Sequence, residues 1–209
     1  MKALQLPPGS LITFIEIMAI LVGAFSGFIE ARRKRMDLVG VFTVAFITAF
    51  GGGTLRDILL DKRPLFWVAH QEYAILIFVL ALGAAPLIRT LRQIVSERLI
   101  VVADAIGLGL FAVAGVAEAQ RAHMPIFIAS MMGVITGIFG GVLRDIVCNE
   151  VPMVFRDGKP YAICAFFGCW LYLIQKHFGV AHDVALWTSA TFITGLRLVT
   201  WKFDMRINN

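Results

Sequence analysis

The 209-residue chain is 59% hydrophobic and only 16% charged, with a formal net charge of +5 at pH 7. Soluble domains carry about a quarter charged residues, so this composition excludes an ordinary soluble domain. It predicts an all-α polytopic membrane protein with a single membrane domain, residues 1–209. The positive charge does not indicate nucleic-acid binding, because the basic residues cluster in short segments between apolar runs, as orientation in a membrane requires.

Seven apolar runs predict seven transmembrane helices, each of which needs roughly 20 residues to cross a bilayer. The predicted spans are residues 11–29, 38–60, 73–88, 99–117, 125–148, 161–178 and 184–199. Two runs carry an acid well inside them, Glu16 in the first and Asp104 in the fourth. Charges at membrane depth usually face a protein interior or a water-filled cavity.

The second and fifth runs share a motif in which glycines precede an Arg-Asp pair. It reads GGGTLRD at 51–57 and GGVLRD at 140–145, with Phe139 in the second copy where the first has Gly51. Glycines loosen a helix, so each motif predicts an interruption of its span. The candidate pore residues there are Gly51, Gly52, Gly53, Gly140, Gly141, Thr48 and Thr136. The candidate pore-lining or gating charges are Arg56, Asp57, Arg144, Asp145, Glu16 and Asp104.

The motif belongs to an internal repeat, since the chain matches itself without a gap when it is shifted by 88 positions. The first unit covers about 10–88, the second about 98–176, and the span at 184–199 stands outside the repeat. Three spans in each unit invert the second unit in the membrane. Inverted repeats with broken helices are typical of transporters and channels, with the site near the repeat interface.

Depth in the membrane links the buried charges. Glu16 and Arg56 fall in the same half of the bilayer, and Asp104 and Arg144 in the other half. Because a lone ion in lipid costs several kcal/mol, we expect each acid to approach the arginine of its own repeat. Asp57 and Asp145 directly follow the arginines, about 100° round an ideal helix, and are second candidates for this pairing.

The basic residues predict the orientation. With seven spans, 12 of them fall on the side of the C-terminus and 5 on the other side. The 12 are Arg32, Arg33, Lys34, Arg35, Arg89, Arg92, Arg98, Arg156, Lys159, Lys202 and Arg206, with Arg197 at a span end. The positive-inside rule therefore predicts that the N-terminus lies outside and the C-terminus in the cytoplasm. The expected location is the cell (inner) membrane.

Both motifs also allow a purely structural interpretation. The glycines could serve only close helix packing, because small residues let membrane helices approach. Alternatively, they form a kink whose freed carbonyls line a cavity. Arg56 and Arg144 could be structural ion pairs that hold the repeats, or a gate or charge barrier of a pore. The sequence leaves these alternatives open.

The repeat and its glycine–Arg-Asp motif resemble the TRIC family of trimeric intracellular cation channels, in its prokaryotic branch. The matching residues are Gly51, Gly52, Gly53, Arg56 and Asp57, and Gly140, Gly141, Arg144 and Asp145. The resemblance covers nearly the whole chain. It implies a homotrimer in a lipid membrane, with a pore in each protomer between the second and fifth helices. That pore would conduct monovalent cations, with potassium as the expected ion.

Two other function classes are alternatives to a cation channel. Similar bacterial membrane proteins carry the label of putative glycine transporters, and the Arg-Asp pairs could serve a small zwitterion, so a secondary transporter is the alternative. A membrane scaffold without conduction is a third reading. No nucleophile–base set, paired cysteine motif or metal-ligand cluster is visible in the sequence, so we expect neither an enzyme nor a cofactor.

Overall fold

The computed structural model describes residues 10–90, 97–156 and 160–205. In this part of the chain every regular element is helical, which confirms the all-α prediction. The helices are α1 (Ser10–Arg33), α2 (Leu38–Leu59), α3 (Phe66–Ala69), α4 (Gln71–Thr90), α5 (Glu97–Arg121), α6 (Ile126–Val147), α7 (Ala162–His177) and α8 (His182–Lys202), with a 3₁₀ turn at Met153–Phe155.

The long helices follow the seven predicted runs. Among the described residues, four segments are both long and apolar enough to cross a membrane, namely Leu11–Arg33, Leu38–Leu59, Arg98–Arg121 and Ile126–Val147. These segments belong to α1, α2, α5 and α6. The multi-pass character is thereby confirmed, and a total of seven spans stays a prediction. The short helix α3, between α2 and α4, has no counterpart among the predicted spans.

The 88-residue repeat extends to the turns after the helices. Arg35 and His123 follow α1 and α5 with φ of 58° and 56°, and Asp61 and Asn149 follow α2 and α6 with φ of 51° and 55°. Each pair is 88 positions apart. Left-handed residues are the usual way to end a helix, because the next amides can then satisfy its last carbonyls. Both copies therefore end their first two helices with the same backbone geometry.

The two units are inverted relative to each other, as predicted. Ser26, near the end of α1, shares Arg144 with Asp104, near the start of α5. At the other end, Arg56 binds Glu16 of α1 and interacts electrostatically with Glu118 at the end of α5. The equivalent helices α1 and α5 thus run antiparallel, which is the relation that an odd number of helices per unit produces.

The glycines are not interruptions, so that prediction was wrong. α2 and α6 remain helical through their glycines and cross each other there. A Cβ on Gly52 would lie 2.1 Å from the carbonyl oxygen of Thr136, and one on Gly140 would lie 2.4 Å from that of Thr48. Neither helix contains proline, and the missing side chains allow backbone-to-backbone contact instead of breaking the helix. The structure therefore shows the close packing of these glycines, while a kink that lines a pore stays a prediction.

The helix outside the repeat makes the bundle asymmetric. α8 packs against α5 and α7, whereas nothing among the described residues takes the corresponding position on α1 and α4. α4 exposes a row of large apolar side chains, Ile75, Phe78, Val79 and Leu82, which are 46–56% accessible. Such a continuous apolar surface suits contact with lipid or with another protein.

Replacing Gly52 with alanine tests the crossing. We expect the unfolding free energy to fall by about 2–3 kcal/mol, because the added methyl group must push the α2 and α6 backbones apart. Thermal unfolding of the purified protein in detergent measures the change. Gly195→Ala in α8 is the matched control, since no atom of another helix lies within 4 Å of the added Cβ. The control should be neutral or stabilising by about 0.5–1 kcal/mol, and equal effects of the two changes would contradict the close contact.

Candidate functional site

The first buried charge cluster consists of Glu16, Arg56 and Asp57. Arg56 is 1% exposed, and its guanidinium donates to Glu16 Oε1 through Nη1. Its Nε and Nη2 donate to Asp57 Oδ1 at 2.9 and 2.7 Å. The pairing expected from membrane depth is therefore present. Both candidate acids bind the arginine together, so one buried cation is matched by two carboxylates.

The second cluster, Asp104, Arg144 and Asp145, repeats this arrangement at the opposite end of the bundle. Arg144 is 1% exposed, and its Nη1 donates to Asp104 Oδ1 at 3.2 Å. Its Nε donates to Asp145 Oδ1 at 2.9 Å, and Nη2 lies 2.9 Å from the same oxygen. A buried ion needs such pairing, because desolvation costs several kcal/mol per ion.

The aspartate of each Arg-Asp pair also organises the segment that follows its helix. Asp57 Oδ2 accepts a hydrogen bond from the Phe66 amide at 3.0 Å, at the start of α3. Asp145 Oδ2 accepts one from the Met153 amide at 2.9 Å, at the start of the 3₁₀ turn. One oxygen of each carboxylate thus holds the arginine and the other anchors a connecting segment. The Arg-Asp spacing serves local folding as well as charge balance.

The two clusters differ in their neutral partners. The Tyr161 hydroxyl donates to Asp104 Oδ2 at 2.5 Å, and Ser26 Oγ accepts from Arg144 Nη1 at 2.6 Å. At the equivalent positions, Tyr73 stacks on Phe66 and the counterpart of Ser26 is Ala114. The second cluster is therefore the more extensively hydrogen-bonded of the two.

Arg197 of α8 is a functional candidate that the sequence analysis missed. It was counted among boundary cations, but it lies inside the helix and is 4% exposed. Its Cζ is 4.5 Å from the centre of the Tyr161 ring, a cation–π distance. Its position two residues before the predicted end of the last span was the only available signal, and that signal does not distinguish a buried arginine from a solvated one.

Two small cavities adjoin the clusters. The first is lined by Glu16, Arg56 and Gly53, and the second by Asp104, Arg144, Gly140, Gly141 and Thr48. The volume open to the centre of a water molecule is about 10 Å³ in the first and about 20 Å³ in the second, which is room for about one water each.

Phe111 lines both cavities. It is the 88-residue equivalent of Gly23, and a Cβ on Gly23 would lie 3.4 Å from the Phe111 ring. One repeat thus supplies a large ring and the other a gap that receives it. The mismatch between Gly23 and Phe111 in the aligned repeats is the sequence signal that identifies this position.

The other predicted pore residues lie near the helix crossing. Gly51 packs against Gly140 and Leu143 of α6. The hydroxyls of Thr48 and Thr136 donate back to the carbonyls of Val44 and Met132, each at 2.6 Å. Both hydroxyl oxygens retain acceptor capacity. Within the described ranges no group of three or more His, Cys, Asp or Glu side chains could hold a metal ion.

Ion pairs near the helix ends connect the two repeats. At the first end, Glu118 lies between Lys62 and Arg121 at 2.8 and 2.9 Å. At the second end, Glu150 lies between Lys34 and Arg156, with Arg156 at 2.5 Å. Hydrogen bonds from Lys34 and Arg156 hold the pKa of the Glu150 carboxyl below its usual range. These pairs tie the segment after α2 to α5, and the segment after α6 to the segment after α1.

The inverted fold and its buried charge pairs define a multi-pass helical membrane protein of the TRIC type. A solved structure from work on conductance through TRIC cation channels is 33% identical, covers 94% of this chain and 96% of its own, and has a TM-score of 0.82. The TRIC channel orthologue from Rhodobacter sphaeroides is 29% identical, covers 94% of this chain and 100% of its own, and has a TM-score of 0.85.

A family model described as "Glycine transporter" matches residues 13–88 and 101–177, and the chain belongs to this family. The UPF0126 inner membrane protein YadS of Escherichia coli K12 is 35% identical over 178 residues, 85% of this chain and 80% of that protein. A UPF0126 membrane protein of Vibrio cholerae is 33% identical over 198 residues, 94% of this chain and 82% of its own length. The two matches of the family model begin 88 residues apart, at 13 and 101.

Replacing Arg56 with methionine tests the first cluster. We expect the unfolding free energy to fall by about 3–5 kcal/mol, because Glu16 and Asp57 would be left as uncompensated buried acids. Arg63→Met, in the exposed segment after α2, removes the same charge without touching the cluster and should change stability by less than about 0.5 kcal/mol. Thermal unfolding in detergent measures both. A similar small change in both variants would show that the buried pairs do not support the fold.

Proposed function

We propose that the protein is a monovalent cation channel, permeable to potassium, rather than an enzyme. The observation that carries the proposal is the pair of small cavities, one beside each charge cluster and each lined by an arginine and its acid. The path would run through both cavities in every protomer. The similarity to solved TRIC cation channels over 94% of the chain supports this proposal.

The buried arginines are compatible with cation passage because each is outnumbered by carboxylates. Arg56 contacts Glu16 and Asp57, and Arg144 contacts Asp104 and Asp145. A fixed positive charge facing a passing cation would repel it, but the acids screen it at short range in a low-dielectric surrounding. In the proposed pore, the arginines hold the carboxylates in place, while carboxylate, threonine and carbonyl oxygens contact the ion.

The family's description favours a second candidate, a secondary transporter of glycine. Such a transporter needs an acid and a base that are free to bind the substrate's ammonium and carboxylate groups. Here the arginines and acids are bonded to each other, and each cavity has room for about one water. The geometry of the site therefore favours ion passage over amino-acid binding.

We further propose a homotrimer in the inner membrane, with the N-terminus outside and the C-terminus in the cytoplasm. The similarity to channels described as trimeric and to relatives described as inner membrane proteins supports this assembly and location. The excess of basic residues on the C-terminal side supports the orientation. The lipid-facing surface would include the exposed apolar side chains of α4.

Reconstitution into planar bilayers with a potassium gradient tests the proposal. We expect discrete current steps that reverse near the potassium equilibrium potential, since a cation channel passes current without a co-substrate. Uptake of labelled glycine into proteoliposomes is measured in parallel. Bilayers without current, together with glycine uptake above that of empty vesicles, would show that the protein is a transporter and not a channel.

Replacing Phe111 with leucine tests the proposed path. We expect open probability or unitary current to rise severalfold, because the smaller side chain widens the passage between the cavities. Phe28→Leu is the matched control, since Phe28 is a buried phenylalanine of α1, 6% exposed, that lines neither cavity. Single-channel recording compares the two, with stability losses of about 1 kcal/mol expected in both. Equal currents in both variants would place the path elsewhere.

A further inference from the structure

Arg197 is a buried cation with almost no compensation of its own. Its Nε and Nη1 have no hydrogen-bond partner among the described residues, and its guanidinium lies over the face of the Tyr161 ring. Burying a charge in this way is costly unless an opposite charge lies near. The acid beyond the ring is Asp104, which accepts the Tyr161 hydrogen bond. Tyr161 therefore lies between Arg197 and the second cluster.

This position changes the charge balance between the two clusters. The first has two carboxylates, Glu16 and Asp57, and one guanidinium. The second has two carboxylates, Asp104 and Asp145, and the guanidinium of Arg144, but Arg197 adds a second buried cation behind Tyr161. With every group ionised, the first cluster carries one net negative charge, whereas the second is neutral once Arg197 is included.

The outer ion pairs do not cancel this difference. At the first end, Glu118 pairs with Lys62 and Arg121. At the second end, Glu150 pairs with Lys34 and Arg156, and Glu30 pairs with Arg33. These pairs sum to one positive charge at each end. Their net charge is therefore the same at both ends. The imbalance between the clusters comes from α8, the helix that belongs to neither repeat.

We infer that Arg197 is a conduction-determining residue that neutralises the second end of the pathway and makes the channel pass cations unequally in the two directions. This inference rests on the proposed channel function. A net negative cavity raises the local cation concentration, and the effect weakens as salt screens it. Cations are therefore drawn more strongly into the first cavity than into the second, and current is larger when the first side supplies the ions.

The test is single-channel recording of the full-length protein at equal potassium concentrations on both sides. In about 50 mM KCl, the wild-type unitary currents at opposite voltages should differ about twofold, and the ratio should approach one in about 1 M KCl. Arg197→Gln removes the cation and should bring the ratio close to one at low salt. Arg197→Lys keeps the charge and should keep the wild-type ratio.

Lys202→Gln is the matched control, since it removes the same charge from the same helix at an exposed position. It should leave the ratio unchanged. Arg197→Gln should keep the wild-type melting temperature in detergent, because it leaves no hydrogen-bond acceptor without its donor.

Three results would overturn the inference. They are an unchanged current ratio in Arg197→Gln, the same loss of rectification in Lys202→Gln, and unfolding of Arg197→Gln while Arg197→Lys folds, which would make the residue structural. Wild-type protein that gives no current at all would instead overturn the proposed function, and this inference with it.

Discussion

Two fully buried guanidinium groups are the constraint on which the rest of the fold depends. Arg56 and Arg144 cannot stay charged in an apolar bundle without carboxylates at hydrogen-bond distance. One carboxylate comes from the preceding helix, Glu16 or Asp104, and fixes how that helix packs. The other comes from the next residue and anchors the connecting segment. A single cation therefore positions three parts of each repeat.

The crossing of α2 and α6 is closely packed. Gly52 and Gly140 allow the backbones of the two helices to touch there. A small cavity lies next to each charge cluster. A close-packed centre with one small cavity beside each cluster is consistent with a closed state of the proposed channel.

Departures from the repeat carry the features that an exact repeat could not provide. Phe111 faces Gly23, Ser26 accepts a hydrogen bond from Arg144 where the other repeat has Ala114, and Arg197 comes from a helix with no counterpart. An exact twofold repeat would treat both membrane faces alike. These differences give the two ends of the bundle different charge and different hydrogen bonding. A nearly symmetric fold can therefore behave differently at its two membrane faces.

The sequence by itself determined the membrane class, the 88-residue repeat and the pairing of Glu16 with Arg56, because hydropathy, periodicity and membrane depth are properties of the linear chain. Only the tertiary structure decided what the glycines do and where Arg197 lies. A run of glycines in a sequence does not distinguish a broken helix from a close contact with another backbone. Which of the two occurs depends on the partner helix. A cation near a span end likewise reads as solvated until the packing of α8 against α5 and α7 shows which of its faces is buried.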